Sequence, residues 1–81
     1  MISSFQQVDV HGMNKVQAFA AIDAILRRAN ASVYTVRVIH GYHNGMVLRD
    51  SIRKSYKDHP KVKRVELGLN PGETDLILRE L

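Results

Sequence analysis

The apolar pattern along this chain of 81 residues predicts a two-layer α/β (α+β) sandwich. The expected architecture is a four-stranded mixed sheet with two helices on one face, in the order β-α-β-α-β-β. Three observations carry the expectation. Short stretches rich in β-branched residues alternate with longer stretches whose apolar residues recur every three or four positions, the signature of strand–helix–strand crossovers. Such crossovers are right-handed, so two in succession lay both helices on one face and leave the other at least partly open to solvent or to a partner. The length suits one domain, residues 1–81, with a single modest core.

Phe5 to Val10 reads as the first strand. Asn14 to Ala29 reads as the first helix, with Asn14 as N-cap and Gln17 at the third position, a variant of the capping box. Ala18, Phe19, Ile22, Ile25, Leu26 and Ala29 give that helix one broad apolar face, and Asn30 suits a left-handed turn at its end. Val33 to His40 is rich in β-branched residues and forms the second strand. The second helix runs from about Met46 to Asp58 and stops before Pro60; its Leu48, Ile52 and Tyr56 stripe faces the sheet. Val62 to Leu67 and Asp75 to Leu81 are two further strands, turned by Asn70-Pro71-Gly72. The crossover leaves room for the last strand to enter antiparallel between the second and third, giving the order 1-2-4-3.

Twelve Lys and Arg against eight Asp and Glu give a net charge of +4, which favours anionic partners. The charge is local: seven basic residues (Arg49, Arg53, Lys54, Lys57, Lys61, Lys63, Arg64) face two acidic ones (Asp50, Asp58) between positions 49 and 64. The absence of cysteine excludes a disulfide framework, thiolate chemistry and a Cys-type zinc site. No apolar run approaches the ~18 residues needed to span a bilayer, and no export signal opens the chain, so a soluble cytoplasmic protein without a membrane partner is expected.

Two motifs stand where strand patterns give way to helix patterns: Asp9-Val10-His11-Gly12 and His40-Gly41-Tyr42-His43-Asn44-Gly45. If the first two strands are parallel neighbours, both motifs lie on the sheet edge where open α/β folds bind ligands. The second loop opens a helix, so its backbone N–H groups can meet a phosphate at the positive end of the helix dipole. Gly12, Gly41, Tyr42, His43, Asn44 and Gly45 are therefore candidate phosphate or nucleic-acid contacts. His11 and His40 are candidates for proton transfer to and from a phosphodiester, with Asp9 orienting His11. Against this, Asp9 and His11 can simply tie down the turn before the helix, and Gly41 and Gly45 can simply make a tight bend.

Arg49, Arg53 and Lys57 repeat every four residues and form a candidate ridge for a nucleic-acid backbone, although a charged outer face is ordinary for an amphipathic helix. Tyr42 can stack on an unpaired base or pack on its own turn. Asp9, His11, His40 and His43 also permit a metal reading, but their spacing has no zinc-type signature and carboxylates are few. No metal site is assigned: a divalent metal is compatible but not indicated, and no organic cofactor is expected. His59 is explained as a cation at a helix C-terminus.

The first motif, with Gln17-Ala18 in the helix after it, resembles the Asp-Leu-His-Gly and Glu-Ala signature of the Smr domain, a small module found alone or at the C-terminus of MutS2-type proteins. The family's second motif is His-Gly or Thr-Gly, one residue, a second Gly, then Leu-Arg or Leu-Lys in the helix. Here His43 stands at the second glycine, and Leu48-Arg49 follows one residue later. The resemblance covers almost the whole chain. It implies a fold like the C-terminal domain of bacterial initiation factor three and endonuclease activity on DNA or RNA. The expected function is nucleic-acid binding with phosphodiester hydrolysis. The alternative is a non-catalytic module that recognises RNA, structured DNA or a ribosomal surface, its altered loop marking the loss of cleavage.

Overall fold

The structure, a computed structural model, describes residues 4–42, 46–68 and 70–80. Its elements are β1 (Phe5–Asp9), α1 (Lys15–Arg28), β2 (Thr35–Ile39), α2 (Met46–Tyr56), β3 (Arg64–Leu67) and β4 (Glu73–Ile77). The sheet order is β1-β2-β4-β3; β1 and β2 are parallel, and β4 runs antiparallel to both β2 and β3. The fold is the mixed-sheet sandwich expected from the sequence. None of the described helices is long and apolar enough to cross a membrane.

α1 starts where the capping box places it. The Asn14 side chain accepts the Gln17 N–H at 2.8 Å and the Gln17 side chain accepts the Asn14 N–H at 3.1 Å. Its end differs from expectation: Asn30 is not left-handed, and the C-cap is Ala29 in an extended conformation (φ −69°, ψ 122°). Instead, the Asn30 side chain accepts the Ser32 N–H at 2.8 Å, and the Lys61 ammonium donates to Leu26 O at 2.7 Å and Ala29 O at 3.4 Å. A cation from a distant segment thus neutralises the negative helix end. His59 is not that cation, as the sequence suggested. Its ring stacks on Tyr56, centroids 5.7 Å apart, and its Nδ1 accepts the Lys61 N–H at 3.1 Å.

The remaining boundaries shift for hydrogen-bonding reasons. β2 begins at Thr35 because the Val33 N–H closes a turn onto Asn30 O, and the N–H groups of Tyr34 and Thr35 both meet Ser4 O. α2 ends at Tyr56, short of Asp58, as the His59 N–H caps Tyr56 O. β4 starts at Glu73, the residue whose N–H closes the Asn70-Pro71-Gly72 turn onto Asn70 O, and ends at Ile77.

The core fills the space between the helices and one sheet face. Val36 and Val38 of β2, Leu76 of β4, Ala18, Ile22 and Leu26 of α1, and Leu48, Ile52 and Tyr56 of α2 form it. Burying each of the large aliphatic side chains contributes roughly 1.5–3 kcal/mol. Tyr56 keeps its polar end satisfied by donating to Asp23 at 2.6 Å while its ring meets the Phe19 ring edge-on. The other sheet face carries ion pairs. Arg37 forks onto Asp75 at 2.8 and 3.1 Å and lies over the Phe5 ring, and Arg64 pairs with Glu66 and Glu80.

Candidate nucleic-acid and catalytic edge

Asp9 and Ile39 are register partners at the ends of β1 and β2, and the Val10 N–H donates to Ile39 O at 2.8 Å. The two motifs therefore leave the sheet side by side at one edge. Each leaves through a glycine with positive φ, Gly12 at +77° and Gly41 at +89°, a conformation that side-chain-bearing residues adopt at a cost. Their backbones are close: a Cβ on Gly41 would lie 3.5 Å from the His11 Cβ.

A third segment completes the edge. Gly72 O, just before β4, accepts the N–H groups of both His40 (2.9 Å) and Gly41 (3.1 Å). A Cβ on Gly72 would sit 3.2 Å from the Gly41 carbonyl carbon, so a glycine allows this approach. The sequence identified Gly72 only as part of a turn.

Asp9 holds His11 in one orientation. A single oxygen, Oδ1, accepts the His11 backbone N–H at 3.0 Å and meets the imidazole Nδ1 at 2.5 Å. Both side chains are largely exposed, 70% for His11 and 52% for Asp9. The hydrogen bonds from His11 hold the Asp9 carboxyl below the usual carboxylate range. With Nδ1 committed to the carboxylate, Nε2 is the nitrogen presented to solvent.

His40 is placed differently. It is 2% exposed, with Nδ1 3.0 Å from Gly41 O and Nε2 2.9 Å from Thr74 Oγ1. Thr74 also accepts the Arg53 Nε–H at 3.0 Å. One set of hydrogens satisfies every group: Arg53 donates to Thr74, the Thr74 hydroxyl donates to His40 Nε2, and His40 Nδ1–H donates to Gly41 O. Burial pushes the His40 pKa down, and the Arg53 and Arg49 charges act in the same direction against the Gly41 hydrogen bond. His40 is thereby held as a neutral imidazole. The two proton-transfer candidates are therefore placed apart: His11 stays with Asp9 in solvent, while His40 turns inward with both ring nitrogens occupied.

Thr74 was not read as a site residue in the sequence. The signal was the strand alternation: once β4 lies antiparallel to β2 with Thr74 opposite Val38, Thr74 shares the helix-facing side with His40 two residues on.

The basic ridge is also rearranged. Arg53 points inward to Thr74, with its pKa lowered by burial and by Arg49. Arg49 stays half-buried and pairs with Asp50 at 2.9 Å. Lys57 lies beyond the end of α2 and is exposed. Positive charge is thus concentrated around His40 rather than along a continuous outer stripe. Tyr42 is 58% exposed beside Gly41. His43, Asn44 and Gly45 lie outside the described residues. Among the described residues, no three His, Asp or Glu side chains converge as a metal site.

The comparisons with known proteins agree with the fold. The Smr domain family model matches residues 8–73, from within β1 to the start of β4. Over 77 residues the chain is 38% identical to the endonuclease MutS2 of Clostridium tetani and, likewise, to that of Acetivibrio thermocellus, in each case covering 93% of this chain and 10% of the relative. It therefore spans about a tenth of the length of these curated relatives. The crystal structure of the Smr domain of Thermus thermophilus MutS2 superposes with a TM-score of 0.82 at 28% identity, covering 93% of this chain and 99% of that one. A family match over residues 8–73, most of its length, shows that this chain belongs to the Smr domain family.

Proposed function

We propose that this domain binds nucleic acid at the edge formed by the ends of β1 and β2 and cleaves the phosphodiester backbone, with His11 as the proton-transfer group. The observation that carries the reading is the Asp9–His11 contact: an exposed imidazole, oriented through Nδ1 by a carboxylate, with Nε2 directed outward. In this arrangement Nε2 takes the proton from an attacking water, or from a 2′-hydroxyl, as its oxygen bonds to phosphorus. The bond from phosphorus to the leaving oxygen breaks, and that oxygen receives the proton back from the imidazolium. Asp9 stabilises the imidazolium between the two transfers.

His40 is a positioning residue in this scheme. Its hydrogen bond to Gly41 O, with the Gly72 contacts, fixes the Gly41 bend at the proposed phosphate edge. Arg49 and Arg53 supply positive charge near His40. The name endonuclease carried by the MutS2 relatives supports hydrolysis as the chemistry. A nucleic-acid substrate makes the cytoplasm the compartment of the proposed activity.

Purified protein incubated with labelled single-stranded, duplex and branched DNA and RNA tests the proposal. Cleavage that survives repeated purification and is lost in His11→Ala supports it. Binding without cleavage by the wild type assigns the domain to recognition alone, as a module for RNA, structured DNA or a ribosomal surface.

A further inference from the structure

At the opposite end of the sheet from Asp9 and His11 lies a cleft of about 280 Å³. Its floor is Val33, leading into β2, and Leu78, leaving β4; its walls are Ala29 at the end of α1 and the basic side chains of Lys61, Lys63 and Arg79. Val33 and His40 are seven residues apart on extended chain, so cleft and motif edge are separated by roughly 23 Å. No single phosphate can touch both.

Among the described residues, the charged side chains that line the cleft, Lys61, Lys63 and Arg79, are all basic. Arg27 and Arg28 occupy the last turn of α1 and are exposed, as are Lys61, Lys63 and Arg79. The carboxylates nearest in the chain are committed or turned away from the cleft. Glu80 pairs with Arg64, Asp23 accepts from Tyr56, and Asp58 does not line the cleft. Among the described residues, Lys63 and Arg79 have no ion-pair partner. A helix C-terminus ordinarily repels anions through its unpaired carbonyls, a charge equivalent of about −0.5. Here the Lys61 ammonium donates to Ala29 O and to Leu26 O, which also accepts the Ala29 N–H, so a cation offsets the negative end of α1 and the other cations are left to attract an anion.

We propose that this cleft is a second phosphate-binding site, engaging the backbone of a nucleic acid through Lys63 and Arg79. It rests on nucleic acid being the partner, but not on cleavage. The domain then grips its substrate at two separated places, so that affinity is shared with a surface that takes no part in the chemistry.

The test is titration of isotope-labelled protein with inorganic phosphate, a single-stranded oligonucleotide and a duplex, read by amide chemical shifts, together with the salt dependence of oligonucleotide affinity. The expected result is a set of shifts at Ser32, Lys63 and Arg79 separate from those at His11 and Gly41. In Lys63→Ala/Arg79→Ala the pole shifts vanish and the edge shifts remain. The slope of log affinity against log salt for duplex then falls in magnitude by about two, as for two lost phosphate contacts. A Lys15→Ala/Lys54→Ala control, which removes the same charge away from the cleft, should change the slope less.

Nucleic-acid shifts confined to the motif edge, or equal effects in the two double variants, overturn this site and leave the proposed function standing. Response to inorganic phosphate alone reduces it to a small-anion site and overturns the backbone proposal. No nucleic-acid response at either place removes both readings.

Discussion

The Thr74 hydroxyl lies 2.9 Å from the Nε2 of buried His40, joining the last strand of the sheet to the histidine that precedes the Gly41 bend. Arg53 donates to the same hydroxyl, so one small side chain links β4, the end of β2 and α2. Thr74→Val preserves shape but leaves the Arg53 Nε–H and the His40 Nε2 without that partner. A loss of about 1–3 kcal/mol is expected by chemical denaturation. Thr74→Ser, which keeps the hydroxyl, should recover most of it.

Proton transfer is assigned to the exposed pair. His11→Ala should lower cleavage by about 10²-fold or more, with nucleic-acid affinity and circular dichroism close to wild type. Asp9→Asn should produce a smaller loss, because the imidazole is retained while its orienting charge is removed. Cleavage assays on both variants at matched binding saturation distinguish the two effects.

Stability should depend on pH through His40. Its folded-state pKa is depressed by burial, so between that value and the ordinary imidazole value near 6.5 the unfolded chain binds a proton that the folded chain does not. The contribution is fully present above about pH 6.5 and is lost as pH falls toward the folded value. Thermal melts should show a decline on acidification that is flatter in His40→Gln. The depressed Asp9 carboxyl acts in a separate, more acidic window: its contribution is present above the ordinary carboxylate range and disappears as pH falls through the folded value.

Gly72→Ala tests the third segment of the edge. The added Cβ would press on the Gly41 carbonyl carbon at 3.2 Å and Cα at 3.4 Å, both of them backbone atoms that cannot rotate aside. The Gly41 bend should be displaced, weakening oligonucleotide affinity and cleavage together. Gly68→Ala is more severe for folding than for the site, since its Cβ would fall 2.5 Å from the Glu73 Cβ. It should cost about 1–3 kcal/mol of stability.

Local patterns made much of this molecule legible. Asn14 and Gln17 announce the start of α1 through side chains three residues apart, and Leu48, Ile52 and Tyr56 announce the buried face of α2. The strand order follows from crossover handedness and from the room one helix connection leaves. Asp9 and His11, two residues apart, were readable as a pair for the same local reason. His40 was harder because its environment is made by residues distant in sequence: Thr74, itself held by Arg53, takes its Nε2 into the core, and no spacing within the second motif reports that. Lys61 on the end of α1 and Gly72 under Gly41 are likewise long-range contacts, invisible until β4 and the segment before β3 have been placed.

The strand order also sets a schedule for synthesis. β4 is central in the sheet, yet of the described strands it is the last to leave the ribosome, and β3 has no neighbour but β4. A nascent chain that has delivered β1, α1, β2, α2 and β3 leaves β2 and β3 without the strand that lies between them, and lacks both the Gly72 carbonyl under the bend and the Thr74 hydroxyl on His40. Pairing strands so distant in sequence is slow compared with forming local contacts. The second motif is thus translated before the two residues that fix it, whereas the Asp9–His11 pair needs only its own residues and β2.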